Sequence, residues 1–125
     1  MLIENPADRN DESMHHVHWA ARAGHACVFE TEELKAFQQA SKAERITAPF
    51  CAFGAPVQKY FTVLATPGAA AVLAPIHGLV CTHARHEAHA YGTDAEGGRA
   101  STTTAPYPSV LCTVFAHSML ARSLP

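Results

Sequence analysis

The sequence has no cysteine pair spaced as CxxC, no strongly basic segment, and no apolar run near the roughly 18 residues a membrane span requires. Each absence removes a class. The missing apolar run argues against a membrane-spanning helix. The opening MLIENPADRNDE lacks a basic start followed by an apolar stretch, so no secretory signal is expected. Charged residues make up only 16% of the chain, and the net charge is −2 with neutral histidines. A free-standing nucleic-acid binder normally carries a basic face, and none is written here. There is no Gly-x-Ser-x-Gly elbow and no Ser/His/Asp order, so a hydrolase has no support. No glycine-rich loop of the cofactor-binding kind follows a strand, and no cysteine directly follows a proline. Internal repeats and domain-separating linkers are also lacking.

What is present suits one core. A chain of 125 residues, 48% hydrophobic, fits a single domain that buries about two-thirds of its unfolded surface. Four cysteines (Cys27, Cys51, Cys81, Cys112) are spaced almost evenly. With no secretory signal expected, reduced thiols in an intracellular setting, nuclear or cytoplasmic, are the default. The nine histidines add positive charge below about pH 6.5.

Periodicity divides the chain into short elements. Met1 to Ile3 reads as the end of a buried strand that delivers Glu4-Asn5-Pro6 to a sheet edge, with its neighbouring strands expected upstream. Ala7 to Ser13 is loop-like, and His15 to Phe29 is ambiguous, with Trp19 and Val28-Phe29 as its buried points. Thr31 to Lys42 is a helix: Thr31 suits the N-cap, Glu32 and Glu33 complement the dipole, and Leu34 and Phe37 share a face. Ile46 to Phe53 and Tyr60 to Thr66 are β-prone and read as two antiparallel strands. Pro67 opens an Ala-rich helix that runs to about Ala74. Gly78 to Cys81 is a short strand or buried connection, and Thr82 to Pro106 a long loop. Pro108 opens a last helix whose Val110, Leu111, Val114, Phe115 and Met119 form one apolar stripe, read as core.

Two of these segments belong together. Ile3-Glu4-Asn5-Pro6 is a strand ending in Glu-Asn, and Phe53-Gly54-Ala55-Pro56-Val57-Gln58-Lys59 follows about fifty residues later, before an apolar strand. The order of strand, Glu-Asn, helix, strand, Gly-x-Pro, Gln, basic residue and strand resembles the later part of a cytosine-5 DNA methyltransferase core. Several features depart from that pattern: Val57 is an extra residue, Pro6 replaces a valine, and Tyr60 or Phe61 stands where a second basic residue would be. The resemblance covers residues 1–66 and implies a partial Rossmann-like methyltransferase sheet ending in an antiparallel hairpin. A loop-rich extension, 67–125, then completes a single incomplete domain. It further implies that Glu4 holds the ring nitrogen and exocyclic amine of a flipped cytosine. Asn5, Pro6, Gln58 and Lys59 would line the same pocket. DNA and S-adenosylmethionine would bind only the complete domain. The family's cofactor loop and Pro-Cys nucleophile precede Glu-Asn, so an N-terminal truncation accounts for both absences.

A second constellation stands apart. Cys81-Thr82-His83-Ala84-Arg85-His86-Glu87-Ala88-His89 is the densest group of metal-ligand residue types in the chain. Zinc takes four Cys/His ligands, and closely spaced pairs lower the entropy of closing a site. Cys81, His83, His86 and His89 are the expected ligands, with Cys51 completing a set if the hairpin packs beside this loop. The functional alternative is therefore a small zinc-stabilised interaction module. His15, His16 and His18, with no cysteine or carboxylate at defined spacing, read as plain surface histidines.

Overall fold

Three strands, Leu2–Pro6 (β1), Glu44–Pro49 (β2) and Tyr60–Ala65 (β3), form one sheet in the order β1-β3-β2, with both pairings antiparallel. In this computed structural model, residues 1–8, 11, 26–87 and 107–121 are described. Helix Glu32–Ser41 (α1) links β1 to β2 in sequence, Pro67–Leu73 (α2) follows β3, and Ser109–Ala121 (α3) comes last.

The central strand explains the architecture. Along Tyr-Phe-Thr-Val-Leu-Ala every residue is buried, because alternate side chains enter two different cores. Phe61, Val63 and Ala65 pack with Ile46 and Ala48 of β2 against Ala69, Ala70 and Leu73 of α2 and Leu111 and Phe115 of α3. Leu64 points the other way, onto Phe29 and Ala43, with Ile3, Cys27, Leu34 and Phe37 around them. The two outer strands each end in proline, Pro6 and Pro49, which cannot donate to a ladder. Edge positions tolerate that loss.

Local chemistry sets the helix ends. Leu34 N–H donates to the Thr31 hydroxyl at the start of α1, and Lys42 closes the helix in the left-handed region at φ 57°. Pro67 sits in the first turn of α2, where a missing N–H costs nothing. Small residues at 69 and 70 let that helix lie close on the sheet. Past α2, the N–H of Thr47 donates to His77 Nδ1 at 3.1 Å, and Gly78 N–H donates to the Thr47 carbonyl at 3.1 Å. These two bonds cap the outer edge of β2 and direct the chain back across the hairpin.

Several expectations change. β1 continues through Glu4 to Pro6 and pairs with β3, far downstream. The β2 ladder stops at Pro49, and Phe50–Phe53 is a 3₁₀ turn closed by Gly54 at φ 90°, not the end of a strand. Residues 78–81 are a connection rather than a strand, with Cys81 buried and Leu79 and Val80 exposed. Phe29 is buried as expected, whereas Val28 is exposed. On α3, Leu111 and Phe115 are core, but Val110 and Met119 are 58% and 51% exposed. The helix is apolar nearly all round, so periodicity did not select its buried face. Trp19, His15, His16 and His18, with most of the 82–106 loop, lie outside the described residues. The sheet is thus α/β with antiparallel neighbours. β1 and β2 run in the same direction on either side of β3.

Candidate metal centre

The 3₁₀ turn carries Cys51 to one end of the hairpin. Phe50 N–H donates to the Lys59 carbonyl at 2.8 Å, and Gly54 N–H donates back to Cys51 at 3.3 Å, so the turn is tied at both ends. Gly54 is required there because a side chain rarely adopts its positive φ. Thirty residues on, the segment released by His77 and Gly78 returns Cys81 to the same place. The buried N–H of Cys81 donates to the Tyr60 hydroxyl at 2.8 Å. Cys51, Tyr60, Cys81 and Ala7 make a small buried cluster of their own.

The two histidines close the group. Cys81 Sγ lies 3.6 Å from His83 Nδ1 and 3.2 Å from His86 Nε2, and the imidazoles meet edge to face at 5.4 Å. One ligand atom from each of Cys51, Cys81, His83 and His86 falls within 4.8 Å of all the others. A tetrahedral ion with metal–sulfur bonds near 2.3 Å and metal–nitrogen bonds near 2.05 Å needs edges of roughly 3.3–3.8 Å. The donor set therefore fits a metal ion such as zinc with only small side-chain adjustments. Both cysteines are buried, His86 is half-buried and His83 is exposed. A cleft of about 230 Å³ opens beside them, lined by Gly54, Ala55, Pro56, Arg85 and Glu87 as well as Cys51 and the histidines.

Burial favours the neutral thiol at Cys51. Burial pushes the Cys51 thiol up to about 12, and the bond to Cys81 with its charge adds to the rise. A proton therefore stays on Cys51 at neutral pH unless positive charge is supplied from within the site. A divalent ion does this, deprotonating a coordinating thiol. Of the expected ligands, Cys81, His83 and His86 meet here, Cys51 joins them from the hairpin, and His89 lies outside the described residues.

The other sequence-predicted residues lie along β1 and in the connection that enters β3. Glu4 sits opposite Val63, Asn5 opposite Thr62 and Pro6 opposite Phe61, and Ala7 N–H donates to the Tyr60 carbonyl at 3.2 Å. Gln58 and Lys59 immediately precede that rung, so Pro6 and Ala7 come nearest them, while Glu4 and Asn5 lie farther along the ladder. Glu4 and Asn5 point to opposite faces, as adjacent strand residues must. The Tyr107 hydroxyl donates to Glu4 Oε2, a contact the sequence did not signal. Burial and that carboxylate raise the Tyr107 phenol to about 12. Tyr107 also meets Phe50 edge to face at 5.5 Å, and Lys59 Nζ lies 5.4 Å from the Phe50 ring centre. One aromatic pair thus bridges the acid and the base. No protein-family model matches the chain, and neither a curated protein nor a solved structure matches it.

Proposed function

We propose that this chain is a zinc-stapled α/β interaction module, in which Cys51, Cys81, His83 and His86 hold one zinc ion. The observation that carries the reading is the convergence of four donor atoms within 4.8 Å from two segments remote in sequence. Two thiolates and two imidazoles satisfy all four positions of a closed, structural site and leave none for a reacting water. Its role is mechanical: it fixes segment 81–87 onto the turn after β2 and so shapes the cleft between Gly54–Pro56 and Arg85–Glu87. Purified protein reconstituted with zinc and dialysed should retain about one ion per chain. Cys81→Ser and Cys51→Ser should each release it and lower the melting temperature. His89→Ala should leave the zinc content unchanged if Cys51 is the fourth ligand. Failure to retain zinc retires the reading.

A second reading is supported by the contacts that link Glu4 to Tyr107, Tyr107 to Phe50 and Phe50 to Lys59. Here the chain contributes the target-base side of a cytosine-5 DNA methyltransferase-like domain. β1 and β2 would be the last forward strands of a Rossmann-like methyltransferase sheet and β3 the returning strand of its terminal hairpin. S-adenosylmethionine and DNA would bind the complete domain, not this chain alone. Glu4 would grip the ring nitrogen and amine of a flipped cytosine, with Tyr107 holding one carboxylate oxygen. Asn5 and Pro6 would shape the strand end, and Gln58 and Lys59 would line the pocket. In a protein that restores the cofactor half, Glu4→Gln should lower turnover by about 10- to 1,000-fold, equivalent to ~1.4–4 kcal/mol, with DNA affinity changed less. Unaltered turnover in that variant rejects the assignment.

A further inference from the structure

We infer that Cys51 and Cys81 form an oxidisable dithiol whose closure by a peroxide expels the metal, an inference that rests on the zinc reading above. Their sulfurs lie within 4.8 Å of each other, whereas Cys27 packs in a separate cluster around Phe29 and Leu64 and Cys112 lies exposed on α3. The two sulfurs are not equivalent. Cys51 lines the cleft of about 230 Å³, whereas Cys81 does not and is tied by its backbone to the buried Tyr60 hydroxyl. A small oxidant entering past Gly54 and Pro56 therefore meets Cys51 first.

The chemistry balances without other redox groups. The Cys51 thiolate attacks a peroxide oxygen, the O–O bond breaks, and an alcohol or water leaves with one solvent proton. This gives a sulfenic acid on Cys51. The Cys81 thiolate then attacks that sulfur, the S–O bond breaks, and hydroxide leaves and takes up a second proton. The two sulfurs lose two electrons in total, and the peroxide gains them. A disulfide offers no thiolate to a metal, so two of the four ligands vanish and the remaining histidines release the ion. The bond needs the sulfurs to close to about 2.05 Å. Cys51 sits in a short turn and Cys81 in irregular chain, both free of the sheet ladder.

The test uses the full chain, loaded with zinc and treated with a tenfold excess of hydrogen peroxide. A chromogenic chelator follows the metal, and non-reducing peptide mapping follows the thiols. The expected result is release of nearly all bound zinc, with peptides containing Cys51 and Cys81 linked, and recovery of binding after dithiothreitol. Cys112→Ser should behave as wild type. Zinc retained under peroxide overturns the inference. So does release with Cys51 oxidised to sulfinic acid and no link to Cys81. A protein that never retains zinc defeats the metal reading instead, and the peptide map of the metal-free chain then decides the sulfur pairing by itself.

Discussion

Arg45 leaves β2 on the α1 side of the sheet, and its guanidinium donates to three acceptors. It reaches Glu30 Oε1 at 2.7 Å, the Phe29 carbonyl at 2.7 Å and Gln38 Oε1 at 3.2 Å, and it lies 5.7 Å from the Phe29 ring centre. One planar fork thus joins β2, the turn before α1 and α1 itself. Lysine offers a point charge and cannot reproduce this pattern. Arg45→Lys should lower stability by about 1–2 kcal/mol in denaturant titration. The hydrogen bond from Arg45, and then its charge, hold the Glu30 carboxyl below its ordinary value of 4.5. A depressed carboxylate contributes stability above its unfolded value and loses it as pH falls through the folded one. Melting temperature followed from neutral into acid should therefore fall less steeply below about pH 4.5 in Arg45→Lys than in wild type. Cys51 works with the opposite sign in the metal-free chain. With its thiol raised to about 12, zinc must displace its proton. Zinc affinity should rise about tenfold per pH unit for each proton expelled, measured by competition with a chelator.

At the scale of elements, two helix features can be separated by substitution. Lys42 ends α1 at φ 57°, a conformation glycine adopts without a Cβ penalty. Lys42→Gly should stabilise the chain by up to about 1 kcal/mol, and a loss of stability would mean the lysine side chain itself matters there. On α3, Leu111 is fully buried against the sheet while Leu120 is 66% exposed. Leu111→Ala should cost about 2–5 kcal/mol by leaving a cavity, and Leu120→Ala less than ~0.5 kcal/mol. Comparable losses at both would mean the outer face of α3 is covered in solution. Inward-facing Ser118 is accommodated because its hydroxyl donates to the Phe115 carbonyl at 2.7 Å, leaving no unpaired donor in the core.

For the molecule as a whole, the sheet and the metal centre are separable layers of stability. β3 is buried between two cores, whereas segment 81–87 touches the rest through Cys81, the histidines and a few bonds. Removing zinc should therefore raise amide exchange across 81–87 and around Cys51 well before β3 loses protection. Equal loss of protection throughout would show that the centre is integral to the sheet. Methyl transfer is a property of a larger assembly in the methyltransferase reading. The isolated chain should accordingly transfer no methyl group from S-adenosylmethionine to DNA, assayed as 5-methylcytosine above a no-enzyme control. Methylation by this chain would overturn that reading's division of labour.

Short-range physics was legible in the sequence. Thr31, Glu32 and Glu33 mark the start of α1, Pro67 the start of α2, and the apolar run at Tyr60 the central strand. Cys81, His83 and His86 were recognisable as ligand types because they lie within one turn's reach of each other. What the sequence left open needed contacts between distant segments. Whether Cys51 joins the centre depends on the β2–β3 register and on the His77–Gly78 edge contact, neither of which has a local signal. The partner of β1 lies about sixty residues away, and short strands carry no mark of whom they pair with. The buried face of α3 could not be read either: its apolar residues surround the axis, so only the sheet it packs on distinguishes Leu111 from Leu120. The Glu4–Tyr107 bond spans nearly the whole chain. Composition and capping determined which elements form and which ligands were available. Tertiary packing decided which of them meet, because that choice depends on register and on shared burial.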